Sequence, residues 1–401
     1  MTGRWTRSAT LLMGAALVAA ALAGTAAARV DAGGSAAAQT VNVAFIYPKT
    51  GGLAAFGQEE FDGFNAGLAY TKGKCGGYTI NPTYVDDATD PATAINAFKN
   101  AVGQGTKIIA GTGSSGIALQ LAPLAAQNNV LYIAGASASD AITGINRNTF
   151  RAGRQTLQDV EDAANVFPPK STGKKVVVFA EDTAFGQGNY LAVQSIFGGK
   201  GHAVTKILSP FGAADLTPYA QQLKNANADA AFVAWANTNN SAAMWQALQQ
   251  QGVPQKMTII TGLANREVYD ALGPLVQGIT LISHYVYTAP KTKVNTWMTK
   301  WLAKNHRGVP NIFTPDGFVT AQMICRALQK GGTDTGKQIS ALEGWQFGAP
   351  KGKQRIRPQD HAMLQPMFLV QLVPGKSGHF VVKVVKTVSP GNVQPPVTPF
   401  K

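Results

Sequence analysis

The chain is poor in the residues that metal and redox chemistry use. It has two cysteines, Cys75 and Cys325, which form no CxxC pair and share no metal-type spacing with histidine. Its five histidines, His202, His284, His306, His361 and His379, are scattered, with none in a zinc-type pair. No metal and no cofactor are therefore expected. Charged residues make up only 14% of the chain, and no dense basic run or basic–aromatic interleaving occurs. The formal charge of +14 thus describes a scattered cationic surface with mild attraction for anions, not a nucleic-acid interface. There is no G-x-S-x-G elbow and no P-loop, so neither a serine-hydrolase nor an NTP-hydrolysing motif is present. Repeats and long low-complexity tracts are also missing, and past residue 28 no apolar run is long enough to span a bilayer.

What remains is the composition of a globular protein. The 401 residues suffice for one or two domains with large cores, 45% are hydrophobic, and 43 glycines imply many tight turns. Arg4 and Arg7 precede an uncharged run, rich in Ala and Leu, from Ala9 to Ala28. Small residues suited to a signal peptidase stand at Ala26 and Ala28, and again at Ala36 and Ala38. This pattern predicts a secretory leader over residues 1–38, cleaved after 28 or 38. A membrane anchor is the competing reading. The marginal length of the run and the small residues after it favour cleavage. No cysteine lies near the cut for lipid attachment, and either cut removes a net two positive charges, leaving +12. A soluble periplasmic or extracellular protein is expected, in a compartment where thiols tend to oxidise. Cys75 and Cys325 are then candidates for one disulfide, provided their backbones approach closely enough.

From residue 41 strands and helices alternate. Val41–Tyr47, Tyr78–Val85, Lys107–Ala110 and Val130–Ala134 read as strands, with helical patterns between them. The period of roughly 30 residues predicts βαβ units and a parallel sheet. Asp90 followed by Pro91 marks a helix start. The alternation restarts at Lys175–Ala180 and continues through strands at Ala203–Leu208, Ala230–Trp235, Met257–Thr261 and Ile279–Ser283. Helical patterns return at Thr292–Asn305 and Pro315–Lys330, and a strand pair is expected at Met367–Val373 and His379–Val385. The fold class is thus α/β, with two doubly wound parallel-sheet lobes and more than one crossover between them.

In such sheets ligands bind beyond the carboxyl ends of the strands, at helix N-termini. The best furnished rim is Gly113-Ser114-Ser115-Gly116, which follows a strand and opens a helix. Its backbone N–H groups, hydroxyls and positive helix end suit a carboxylate, although Ser114 also suits a simple helix cap. A second small-residue loop, Gly135-Ala-Ser-Ala-Ser139, follows the next strand. Gly111-x-Gly-x-x-Gly116 also fits a dinucleotide fingerprint. However, it sits on the third βα unit, and Ala134 and Gly135 occupy the end of the next strand, where an acidic residue would be needed. An NAD-type oxidoreductase is therefore the minor alternative.

Taken in order, several stretches resemble the Leu/Ile/Val-binding protein family, the amino-acid class of type I periplasmic binding proteins. They are Val43–Gly57, Val85-Asp-Asp-Ala-Thr-Asp-Pro91, Gly111–Gly116 with Ala134–Ser139, Phe150-Arg-Ala-Gly153, Ala180–Gly188 and Arg357-Pro-Gln-Asp-His361. The resemblance covers essentially the whole chain after the leader. It implies a type I periplasmic binding fold with a multi-crossover hinge, lobe 1 comprising 39–153 and 287–345, and lobe 2 comprising 154–286 and 346–401. It places the family's carboxylate-binding Ser on Ser114, its carbonyl position on Gly135 beside Ala136, and its Thr/Ser that meets both ligand charges on Ser137. Aromatic wall positions fall on Phe56, Phe185 and Phe313, and the second lobe offers Trp235 to Thr238. Asp360-His361, which looks like a catalytic dyad, matches a structural motif of the family.

Two departures stand out. The acidic residue that pairs with the ligand ammonium in the amino-acid binders aligns near Leu263, and Thr261-Gly-Leu-Ala264 holds no carboxylate. Either Glu181, Asp182 or Glu267 substitutes from a neighbouring loop, or the ligand has no ammonium and is a carboxylic acid, with an aromatic one suiting the Phe positions. The family's short-range disulfide is also missing, since its positions are Thr89 and Gly113. The expected function is the solute-binding subunit of an ABC importer: a monomer, not an enzyme, whose partners are a small ligand and a membrane permease. An extracytoplasmic sensor subunit would share every one of these features.

Overall fold

The structure, a computed structural model, describes residues 38–167 and 172–401. The leader expected over residues 1–38 therefore lies, but for its last residue, outside the described residues. Among the described residues no helix is long and apolar enough to cross a membrane.

The first sheet is built from β1 (Gln39–Tyr47), β2 (Tyr78–Asp86), β3 (Ile108–Gly111), β4 (Leu131–Ala134) and β5 (Thr149–Arg151), all parallel in the order β2-β1-β3-β4-β5. Its crossovers are α1 (Ala54–Thr71), α2 (Pro91–Gly103) and α3 (Ser115–Gln127). Strands β3 and β4 are buried throughout, which is why they read as unbroken apolar runs rather than alternating ones. The predicted caps are in place, with the Asp90 carboxylate accepting from the Thr93 amide at 2.7 Å and Pro91 opening α2.

After α4 (Thr156–Ala163) comes a second parallel sheet of β6 (Lys175–Glu181), β7 (Ala203–Ser209), β8 (Ala230–Ala234) and β9 (Thr258–Thr261), in the order β7-β6-β8-β9. Helices α5 (Ala184–Ile196), α6 (Thr217–Asn225), α7 (Ser241–Gln250), α8 (Val253–Lys256) and α9 (Tyr269–Leu272) accompany it. Strand β10 (Leu281–Ser283) joins β9 through a parallel bridge between Gly262 and Ile282. The chain then crosses back to the first lobe with α10 (Lys293–Lys304), α11 (Thr314–Gly331) and α12 (Thr335–Leu342). Helix α11 lies so close to α1 that a side chain at Gly63 would sit 1.8 Å from the Thr314 carbonyl oxygen.

The expected second-lobe segment 346–401 is divided. Strands β11 (Gln346–Ala349), β12 (Gly352–Ile356) and β13 (Met363–Leu364) form a small antiparallel sheet. Phe347, Ala349, Ile356 and Met363 share the core of β1 and β3, so this stretch belongs to the first lobe. Short, half-exposed strands leave only a faint period in sequence, and it is their packing beside α11 that places them. The expected strand pair does extend the second lobe, as β14 (Met367–Pro374) and β15 (Phe380–Val388) antiparallel beside β10. The tail then returns to lobe 1, where the Arg357 guanidinium donates to the Pro395 and Pro396 carbonyls and the Lys401 amide to Gly144.

Candidate functional site

In both sheets the first strand lies between the second and the third, so each has its switch point there: β1/β3 in lobe 1 and β6/β8 in lobe 2. A crevice opens where crossovers leave such a point in opposite directions. The two crevices face one another. A cavity of about 390 Å³ between them is lined by Leu53 and Phe56 after β1, Gly113 and Ser114 after β3, Thr183 and Phe185 after β6, and Trp235 to Thr238 after β8. That volume is in the range of small-molecule sites.

On the first-lobe wall, Ser114 caps α3, its hydroxyl accepting from the Ile117 amide at 3.4 Å. The N–H groups of that first turn have no helical partner and carry the positive end of the helix dipole. The Ala136 amide donates to the Glu60 carboxyl at 2.5 Å, and the Ala136 carbonyl accepts from Arg154 at 3.0 Å. Phe56 meets the edge of Phe313 with ring centroids 4.8 Å apart, and both rings line the cavity. On the second-lobe wall, Phe185, Trp235 and Leu263 supply apolar surface. The lobes touch directly, since the Thr238 amide and hydroxyl donate to the Gly52 carbonyl at 2.9 and 3.1 Å.

The floor is ionic. Arg154 and Asp159 line it, joined Nε to Oδ2 at 3.2 Å, with the guanidinium 5.3 Å from the centre of the Phe313 ring. His284 also reaches the cavity. Burial, reinforced by Arg154 and Lys351, holds its pKa well below the usual imidazole value, so it is neutral at pH 7. Behind it the fully buried pair Lys351–Asp316, 2.5 Å apart, braces α11 against the turn between β11 and β12.

A sequence profile of the periplasmic binding proteins matches residues 40–378. This chain belongs to the periplasmic binding protein family. The family works outside the cytoplasm and binds solutes. Among curated relatives, a Leu/Ile/Val-binding protein homolog 2 of Brucella abortus is 27% identical over 241 residues, 58% of this chain, and the match spans 63% of that relative's length. Homolog 6 of Brucella suis is 24% identical over 366 residues, 89% of this chain and 93% of its own. A solved ABC-type branched-chain amino acid transporter protein from Rhodopseudomonas palustris is 28% identical, with a TM-score of 0.73 over 90% of this chain and 100% of that one. A solute-binding protein from the same species, solved with 4-hydroxybenzoate, is 23% identical, with a TM-score of 0.80 over 88% of this chain and 97% of that one.

In this binding protein the cavity wall collects Ser114, Ala136, Phe56, Phe185, Phe313, Trp235, Thr238 and Leu263. Gly135 and Ser137 stand behind it. The Ser137 hydroxyl, expected at the ligand, is fully buried and donates to the Thr112 carbonyl at 2.6 Å, closing the β4 loop onto the β3 loop. Gly135 is needed for packing, because a Cβ there would fall 1.9 Å from Glu60 Oε1. None of the three substitute carboxylates reaches the wall. Glu181 accepts from the Ala236 and Asn237 amides, Asp182 from Gln187, and Glu267 from Asn265 and Asn311. Arg154 and Asp159 carried no signal in the sequence because they lie just beyond the Phe150–Gly153 stretch, between the three-residue strand β5 and the first turn of α4, which are too short to show a period.

Proposed function

We propose that this protein is the extracytoplasmic solute-binding subunit of an ABC importer of the branched-chain amino-acid class, and that its cleft takes a small aromatic carboxylic acid without an ammonium group. One observation carries the ligand class: among the described residues, the only carboxylate on the cavity wall is Asp159, and Arg154 already neutralises it. A ligand ammonium would find no carboxylate there except one already paired with Arg154, and would lie beside that guanidinium, which disfavours it. A carboxylate instead meets the open N–H groups at the start of α3 and the Ser114 hydroxyl. Phe56, Phe185, Phe313 and Trp235 suit a planar ring. The same fold accommodates 4-hydroxybenzoate in its neighbour from R. palustris, which supports the reading.

The mechanism is a hinge-bending trap. Ligand on the first-lobe rim draws the second lobe over it, the Gly52–Thr238 contact closes, and the closed monomer docks on the permease in the periplasm or at the outer cell surface. The deciding experiment is calorimetric titration with benzoate, 4-hydroxybenzoate, leucine and 4-methylpentanoate, the ammonium-free counterpart of leucine. We expect the benzoates to bind, and 4-methylpentanoate to bind at least about tenfold more tightly than leucine. Tighter binding of leucine rejects the acid reading, and no heat from any of the four rejects the site.

A further inference from the structure

We infer that Arg154 is the residue that reads the ligand's negative charge and sets the preference of the cleft for acids over neutral analogues. The inference rests on the acid-binding reading of the same cavity. It goes beyond the helix-end site on α3 by assigning recognition to a side chain that no family motif marked.

Three observations converge on Arg154. It lines the cavity although only 7% of its surface is exposed, so its charge is spent inside the cleft rather than in solvent. Its guanidinium is held on three sides. Nε bonds Asp159, Nη1 donates to the Ala136 carbonyl, and the face lies over Phe313. Nη2 has no acceptor among the described residues, and so remains as a fixed, open donor. Finally, it is the only cationic side chain on the wall among the described residues, because His284 is held neutral.

A planar guanidinium fixed in this way loses little entropy when an oxygen arrives, and a charge-assisted bond is about twice as strong as a neutral one. Asp159 balances the charge in the empty cleft and orients Nε without occupying Nη2. The neutral pair keeps the floor tolerable when dry. A carboxylate at Nη2 then adds an anion to a site already furnished with a second attraction, the start of α3. A neutral amide of the same shape fits the ring pocket equally well, but its carbonyl accepts only weaker, uncharged bonds at both places.

The test compares benzoate with benzamide on the wild-type chain, Arg154→Gln and Arg154→Lys, by calorimetry. Wild type should prefer benzoate by about thirtyfold or more. Arg154→Gln should lose benzoate about 10–100-fold and leave benzamide within about threefold, so that the preference collapses. Arg154→Lys, which keeps the charge, should recover part of it. If Arg154 only propped Ala136 and Asp159, both probes would weaken together in Arg154→Gln. That result, or an unchanged preference, overturns the assignment while leaving the binding function standing. A wild type that binds neither probe overturns both. Should the Gln variant fail to fold by circular dichroism, Arg154→Lys decides alone: a retained preference supports charge reading, and equal loss of both probes rejects it.

Discussion

Glu60 lies fully buried beneath the β4 loop, with Oε1 accepting from the Ala136 amide while Oε2 meets no partner among the described residues. Burial pushes its pKa up to about 8, with the nearby Asp316 and Asp87 adding to the rise. The sign of the effect on stability follows from linkage. Between about 4.5, the value in the unfolded chain, and about 8, the folded protein keeps a proton that the unfolded chain has released, so this group's contribution falls as pH rises through that window. Asp87, raised to about 6 by burial, acts in the same direction. In Glu60→Gln the thermal midpoint should therefore fall less steeply from pH 5 to pH 8 than in wild type, measured by differential scanning calorimetry. Parallel curves would mean that Glu60 ionises as freely in the fold as in the open chain. Sequence pointed to Gly135 as a ligand contact. The requirement for glycine there is set by a carboxyl 75 positions upstream, and only packing could reveal that.

At the scale of elements, the loop after β1 and the loop after β8 form a latch. Gly52 presents its carbonyl to Thr238, and its missing side chain leaves room for Phe211 and Asn237. A Cβ at Gly52 would lie 2.6 Å from the Phe211 ring and 3.3 Å from the Asn237 side chain. The substitution Gly52→Ala should hold the lobes slightly apart, speeding benzoate release about tenfold in stopped-flow experiments while leaving the melting point of the empty protein nearly unchanged. Unaltered release would show that the contact is incidental to closure. The segment Trp235 to Thr238 was legible in the sequence as a second-lobe contribution. That the Thr238 hydroxyl serves the opposite lobe was not legible, because the bond joins residues 186 apart whose meeting depends on the angle between two sheets.

Across the whole molecule, the disulfide between Cys75 and Cys325 links the connection between α1 and β2 to α11, both in lobe 1, yet the loop it closes spans 250 residues and contains the entire parallel sheet of lobe 2. Loop-closure entropy alone would give about 5 kcal/mol for so long a loop, whereas disulfides typically contribute about 2–4 kcal/mol. The double substitution Cys75→Ala/Cys325→Ala should lower denaturant-derived stability by that amount while leaving benzoate affinity unchanged, since neither cysteine touches the cavity. Equal stability with and without the bond would show that α1 and α11 hold together by packing alone.

Sequence by itself determined the two α/β lobes, most strand positions and the small-residue rim at Ser114, because apolar periodicity, caps and turn residues act within about one element's length of chain. The tertiary structure decided the pairing of the two cysteines, the lobe to which β11–β13 belong, the burial of the Ser137 hydroxyl behind the cavity wall, and the presence of Arg154 with an open Nη2 at the floor of the cleft. Each of these depends on which distant surfaces meet. A local pattern carries no record of that, because the free energy of burying a charge or closing a loop is set by neighbours that arrive only when the chain has folded.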